Sequence, residues 1–346
     1  MKYVSLLKLS SLLKLLPLTA LAFLFLGCSS KQYFEPENTY SATHASRSYG
    51  ANIVDLSREG GTLSNGTYIG KKGIHNVHLG EGYRFVNENN KYILASNTEG
   101  KLKIIDKQSK ETVRTVALHI PVVSATIKNG IIAYILNNNT FGVYLMNENK
   151  KIVENRSERM YAIDTRAASP IFVENLVVMP MLDGKIVIVN IQNPENAKIV
   201  YISSEQSFNN VIHLSRVGNT MIAATHKKMI VLGGAGKLEY KANISEVAVN
   251  NNKIYLFTKE GNILALNHAL ELVGTAKFKF AHYAVATSFG DKVFALDQQG
   301  SLIVLNSLLS KSKIYRLGEI EEPAFISGTK LYKDGKVIEL STLGYE

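Results

Sequence analysis

The strongest constraint on the fold is a pattern that recurs about every 40 residues: a β-branched strand, a tight turn and a second strand ending in Asp or Asn. Seven segments carry it, the Asp or Asn ending replaced by Leu in 221–232 and 331–340: 92–106 (YILASNTEGKLKIID), 132–147, 176–190 (LVVMPMLDGKIVIVN), 221–232, 254–267, 293–306 and 331–340. Each reads as a β-hairpin. Six have a turn glycine, namely Gly100, Gly142, Gly184, Gly261, Gly300 and Gly335, at intervals of 42, 42, 77, 39 and 35 residues. The interval of 77 is two units, with Lys228 near the middle where the glycine is missing. Glycine suits such turns because it reaches positive φ at little cost.

Short strands flank the hairpins, such as 122–127, 245–249 and 283–288 before them and 113–120, 198–202 and 313–317 after them. Four strands per unit predict the blades of a β-propeller, a WD40-like architecture. Runs such as IVIV and ILAL are apolar at every position, as expected of strands packed on both faces. With 46% hydrophobic and 20% charged residues, the chain has the means for a sizeable core. Only STLGYE follows residue 340, too little for a fourth strand in the last unit. The segment 53–72, with a strand at 66–70, is expected to supply it. The first complete blade then begins near Gly73, and the last is closed by an N-terminal strand, which removes an open edge. This predicts an all-β propeller of seven four-stranded blades. Eight follow if residues 53–79 form a blade of their own.

The first thirty residues have a different character. Lys2, Lys8 and Lys14 precede or punctuate an apolar stretch at 15–26, and Gly27 and Cys28 follow. That is the layout of a secretory signal, with an apolar core too short to span a membrane comfortably. The segment FLGC at 25–28 resembles the bacterial lipobox, with Phe25 where leucine is usual. The resemblance implies cleavage after Gly27, a diacylglyceryl group on the Cys28 sulfur and an acyl chain such as palmitate on the new amino group. Two or three chains anchor stably where one does not. Cys28 is the chain's single cysteine, so no disulfide forms within it. The expected organisation is a signal peptide at 1–27, a lipidated N-terminus and flexible tether at 28–52, and the propeller at 53–346. Ser29 and Ser30, with no Asp after the cysteine, are similar to the sorting pattern of outer-membrane lipoproteins. The resemblance therefore implies the periplasmic face of the outer membrane.

The strand–turn–strand pattern of MLDGKIVIVN and ALDQQGSLIVLN resembles the quinoprotein-like (PQQ-like) repeat family across residues 73–340. That family includes dehydrogenases and also the propeller lipoprotein of the outer-membrane β-barrel assembly machinery, which usually has eight blades. A quinone site in this family uses a tryptophan platform and a vicinal disulfide. With no Trp and one Cys, this chain does not build it. No cofactor, metal or catalytic residue is expected.

Other chemistry-bearing motifs read as structure. His75 and His78 are three apart, which on a strand places them on opposite faces and not as a metal pair. GGAGK at 233–237 lacks the spacing and the following Ser or Thr of a phosphate loop. Asp183, Asp297 and Asp334 sit in hairpin turns, where turn chemistry accounts for them. The Asn-x-Ser/Thr sequences at Asn65, Asn138, Asn155 and Asn243 read as incidental. The net charge of +10 comes without a run of five basic residues, so nucleic acid is not an expected partner. The sequence predicts a non-enzymatic scaffold, monomeric within a hetero-complex, binding envelope proteins such as a β-barrel assembly complex. The alternatives are a lyase or hydrolase at the channel mouth, which requires convergent titratable groups, and a ligand- or surface-binding lipoprotein.

Overall fold

The computed structural model describes residues 32–42, 46–158, 166–205, 209–234, 236–250 and 252–346. The chain divides into two compact units, 1–33 and 34–346. The first lies almost wholly outside the described residues, and with it the leader and Cys28. The second is all-β: among the described residues its helical content is one 3₁₀ turn, Leu340–Thr342.

Eight sheets make eight blades, at 53–75, 84–117, 122–156, 171–201, 213–241, 244–277, 283–316 and 325–339. Within each of blades 1 to 7, four strands pair antiparallel in chain order, from the inner strand to the outer. The seven predicted hairpins are the second and third strands of blades 2 to 8. The count is therefore eight. The expectation that 53–72 closes the last blade is corrected, because Ile53–Leu56, Gly61–Leu63, Tyr68–Gly70 and Gly73–His75 pair with one another as blade 1.

The last blade is closed by an N-terminal strand, but by Ser46–Ser48. It pairs antiparallel with Lys336–Glu339, with Arg47 opposite Val337. Just upstream, Tyr40–Ser41 adds a parallel fifth strand to blade 7, opposite Tyr315 and Arg316. Residues 40–48, within the stretch expected to be a flexible tether, thus carry strands of the propeller.

One hydrogen bond repeats around the ring. A residue after each outer strand, immediately so in all blades but the first, donates its backbone N–H to a carbonyl in the blade's central hairpin turn. The donors to turn glycines are Leu79 to Gly66, Leu118 to Gly100, Ile202 to Gly184, Phe278 to Gly261 and Leu317 to Gly300, all at 2.8–3.0 Å. Blade 3 uses Ser157 to Asn139 and blade 5 uses Ala242 to Lys227. In blade 8 the donor is Tyr49, to Gly335 at 2.9 Å, from the other end of the chain. The N-terminal strand therefore reproduces the whole outer-strand role. Gly142 is not the turn residue expected of it. In blade 3 the left-handed position is Asn139 (φ 64°), and Gly142 lies in the strand Thr140–Leu145, flat against the Tyr134 ring.

The core consists of eight apolar clusters, one at each blade-to-blade interface. Ile93, Phe85 and Tyr68 join blades 1 and 2, for example, and Leu331, Phe294 and Leu296 join 7 and 8. Tyr332, Ile53 and Ile69 join blade 8 to blade 1, where Ser327 Oγ also donates to Gly70 O at 2.6 Å. Because each sheet packs on both faces, the inner hairpin strands are buried at nearly every position, as in Lys292–Asp297. The outer strands, such as Gly236–Lys241, alternate and face water.

Candidate functional site

The central channel is where side chains from different blades converge. The inner strand of blade 1 ends in a tight turn, with Ser57 N–H donating to Gly60 O at 2.9 Å and Ser57 Oγ capping Glu59 N at 3.2 Å. This turn carries Arg58. Its Nη1 donates to both carboxylate oxygens of Glu246, at 3.0 and 2.7 Å, and its Nε donates to Arg166 O at 3.0 Å. Glu246 lies on the inner strand of blade 6, Ile244–Asn250, just past a bulge between Ile244 and Glu246. Similar bulges open the inner strands of blades 1, 2, 3 and 7. Bulges re-aim a side chain relative to its strand. The pair thus links blade 1 to blade 6 and to the lead-in of blade 4, with each side chain 16% exposed.

His213 opens the inner strand of blade 5 and shares a 2.8 Å hydrogen bond between its Nε2 and Ser215 Oγ. Burial, with the Arg58 charge second, pushes its pKa down to about 4, so the ring is neutral at pH 7. Arg58, Arg166, His213 and Glu246 all line one cavity of about 270 Å³. Arg58, Arg166 and Glu246 also border a second cavity of about 500 Å³, lined further by His226, Lys259, Gln298 and Gln299 from central hairpin turns and by Ile320 and Pro323. The two are sections of one channel that meet at the Arg58–Glu246 pair.

The convergence that an enzyme would need is thus partly present, but its groups are committed to each other. Both carboxylate oxygens accept from the one Nη1, a charge-assisted contact that holds the two groups against each other. Arg58 Nη2 is buried and makes no hydrogen bond to the described residues.

The motifs read from sequence are scattered elsewhere. His75 stacks on Tyr68 with ring centroids 4.9 Å apart and faces Glu88 at 3.7 Å. Glu88 is a buried hub that accepts from Tyr68 Oη and Lys71 N at 2.8 Å and pairs with Lys107 at 2.5 Å. Burial pushes its pKa up, but these partners outweigh it and hold the carboxyl below its ordinary value. Asp297 caps its turn, accepting from His282 N and Gln299 N. Asp334 accepts from Glu321 N and Glu322 N, and Asp183 accepts from Ser157 Oγ and pairs with Lys185. The glycines of 233–237 form the turn between the third and fourth strands of blade 5. Asn65 and Asn138 accept from backbone N–H two residues on, and Asn243 bonds Lys227 and Glu260. Among the described residues, no group of three or more His, Cys, Asp or Glu is placed to hold a metal. The channel pair was not foreseen, because 188 residues separate its members and no local pattern marks either.

No family model matches the chain. It is 26% identical over 359 aligned residues to plasminogen-binding protein PgbB of Helicobacter pylori, in both strain J99 and strain 26695, with 89% of the chain covered. The chain spans 66% and 65% of the lengths of these relatives. Among solved structures it is similar to BamB from Moraxella catarrhalis, with TM-score 0.64 and 13% identity over 87% of this chain and 98% of that one. The computationally designed protein Ika8 gives 0.61 and 12%, over 84% of this chain and 96% of that one. The C-terminal WD40 domain of Sif2 also gives 0.61 and 12%, over 83% and 95%. These structural likenesses agree with the propeller fold, whose eight blades are given by the strand pairing.

Proposed function

We propose that this protein is a lipid-anchored propeller of the bacterial cell envelope that works as a protein-binding scaffold, with plasminogen as one partner. The observation that carries this reading is the sequence similarity, over 89% of the chain, to two proteins named for plasminogen binding. The architecture suits it. A propeller holds many turns rigidly around one channel, and loops on a rigid scaffold are where recognition concentrates. The binding face is the one with the cavity of about 500 Å³, where Lys259, Gln298 and Gln299 come from central hairpin turns and apolar Ile320 and Pro323 also line it. Anchoring is through Cys28, acylated after removal of residues 1–27, which places the propeller at the outer membrane. Channel chemistry favours binding over catalysis, since Glu246 and Arg58 occupy each other.

A second reading is service in β-barrel assembly, as the propeller lipoprotein of that machinery. The fold likeness to BamB over 98% of that chain supports it. Surface plasmon resonance with the soluble propeller, residues 29–346, separates the two. Saturable binding to immobilised plasminogen, weakened several-fold by Lys259→Glu, supports the first reading. No binding to plasminogen, with co-purification of barrel-assembly proteins from native membranes, would establish the second.

A further inference from the structure

The seam between blades 6 and 7 is where the N-terminal chain joins the propeller body. Phe34 is buried there, edge-on to Phe278 with ring centroids 5.8 Å apart and in one core cluster with Leu309. Tyr40–Ser41 and Ser46–Ser48 then pair with the outermost strands of blades 7 and 8. In the sequence, Phe34 comes only six residues after Cys28. A fully extended chain covers about 20 Å over that stretch. An acyl-bearing Cys28 therefore cannot act through a long leash.

The same seam exposes large apolar side chains. Leu272 and Val273, on the outer strand of blade 6, are 54% and 44% exposed, and Leu308, in the neighbouring turn of blade 7, is 57% exposed. The Leu308 backbone lies directly against Gly274 of that outer strand, so all three emerge from one rim. Apolar side chains are also exposed on other rims, among them Val113 on blade 2 and Ile199 on blade 4. Exposure alone thus does not choose a face, and the short chain to Cys28 limits the choice to rims within about 20 Å of Phe34. The segments that meet at this seam carry both signs of charge in sequence, Lys277 and Lys279 in one and Glu35 and Glu37 in the other. Attraction to anionic headgroups is accordingly not the driving force.

We infer that the seam of blades 6 and 7, through Leu272, Val273 and Leu308, lies on the lipid surface, so that the propeller stands on its rim and both channel mouths stay open to the solvent. This rests on acylation of Cys28. Such contact inserts a few apolar side chains at the headgroup boundary and adds to the anchor. The occupant is lipid, since the chain that enters here is the one proposed to carry the acyl groups.

The test uses the membrane-extracted protein, whose Cys28 is blocked by lipid. An environment-sensitive fluorophore is placed at Leu308→Cys, Val273→Cys and, on the opposite rim, Val113→Cys. Each variant is reconstituted into phosphatidylcholine vesicles containing a lipid-borne quencher. The inference predicts quenching at 308 and 273 several-fold above that at 113, unchanged when phosphatidylglycerol is added. Equal quenching at all three positions, or shielding of 308 that persists without vesicles, as a second copy of the chain would give, overturns it while leaving the anchor intact. An N-terminal peptide mass showing no acyl chain removes the lipoprotein reading and this inference with it.

Discussion

At the scale of single residues, buried charges are the sensitive points. Glu88 is 5% exposed and serves Tyr68, Lys71 and Lys107 at the interface of blades 1 and 2. Replacing it with Ala strands Lys107 and the Tyr68 hydroxyl, and a loss of about 3–5 kcal/mol in urea unfolding is expected. Its pKa is depressed in the folded state. Its contribution is therefore complete above the ordinary carboxylate range and is lost as pH falls through the folded value. A Glu88→Gln variant should show a flatter decline of unfolding temperature between pH 5 and pH 3, in units of about one carboxylate's linkage. In the channel, Arg58→Met removes a positive charge from beside His213 and frees Glu246. The imidazole pKa should rise from about 4 part of the way towards the ordinary histidine range, as read by NMR titration. A value unmoved by the substitution would show that burial alone sets it.

At the scale of elements, the turn glycines and the closing strand decide stability. Gly300 has φ 83°, and a Cβ there would lie inside the Gly318 carbonyl. Gly218 also has positive φ (58°) but has open space around it. Gly218→Ala should cost about 1 kcal/mol for the left-handed backbone, and Gly300→Ala clearly more, compared by denaturation midpoints. The sequence shows these devices unevenly. The hairpins of blades 2 to 8 were legible because each joins two apolar strands across a turn. The same signal was present in blade 1 as SNGT at 64–67, and Gly66 there has φ 79°. Its strands are only three residues long, so the segment reads first as one spare strand, and eight blades stand in the sequence only as the alternative to seven. Ser46–Ser48 has no apolar periodicity, because an outer strand faces water and owes its place to backbone pairing alone. Gly142 misled for the opposite reason: its spacing matched a turn, while its role is to make room for Tyr134. The Arg58–Glu246 pair exists only once the ring has closed.

At the scale of the whole molecule, the strand Ser46–Ser48 completes blade 8 beside the C-terminal strand Lys336–Glu339, so the ring is held by this N-terminal strand. Deleting residues 29–49 removes the strand Ser46–Ser48 and the Tyr49 bond to Gly335, and it opens the edge of Lys336–Glu339. A drop in unfolding temperature and a tendency to self-associate are expected by calorimetry and light scattering. Deleting 29–33 should change neither. The segment that completes the fold is also the one that leads to the proposed anchor, so fold and attachment are mechanically continuous. The central claim, a propeller held to the envelope through Cys28, is tested most directly by mass spectrometry of the N-terminal peptide from membrane-extracted protein, alongside a Cys28→Ala variant. The account predicts a peptide that begins at Cys28 and carries acyl chains, with the variant lost from the acylated membrane fraction. A peptide that is unmodified, or that still carries residues 1–27, would contradict it.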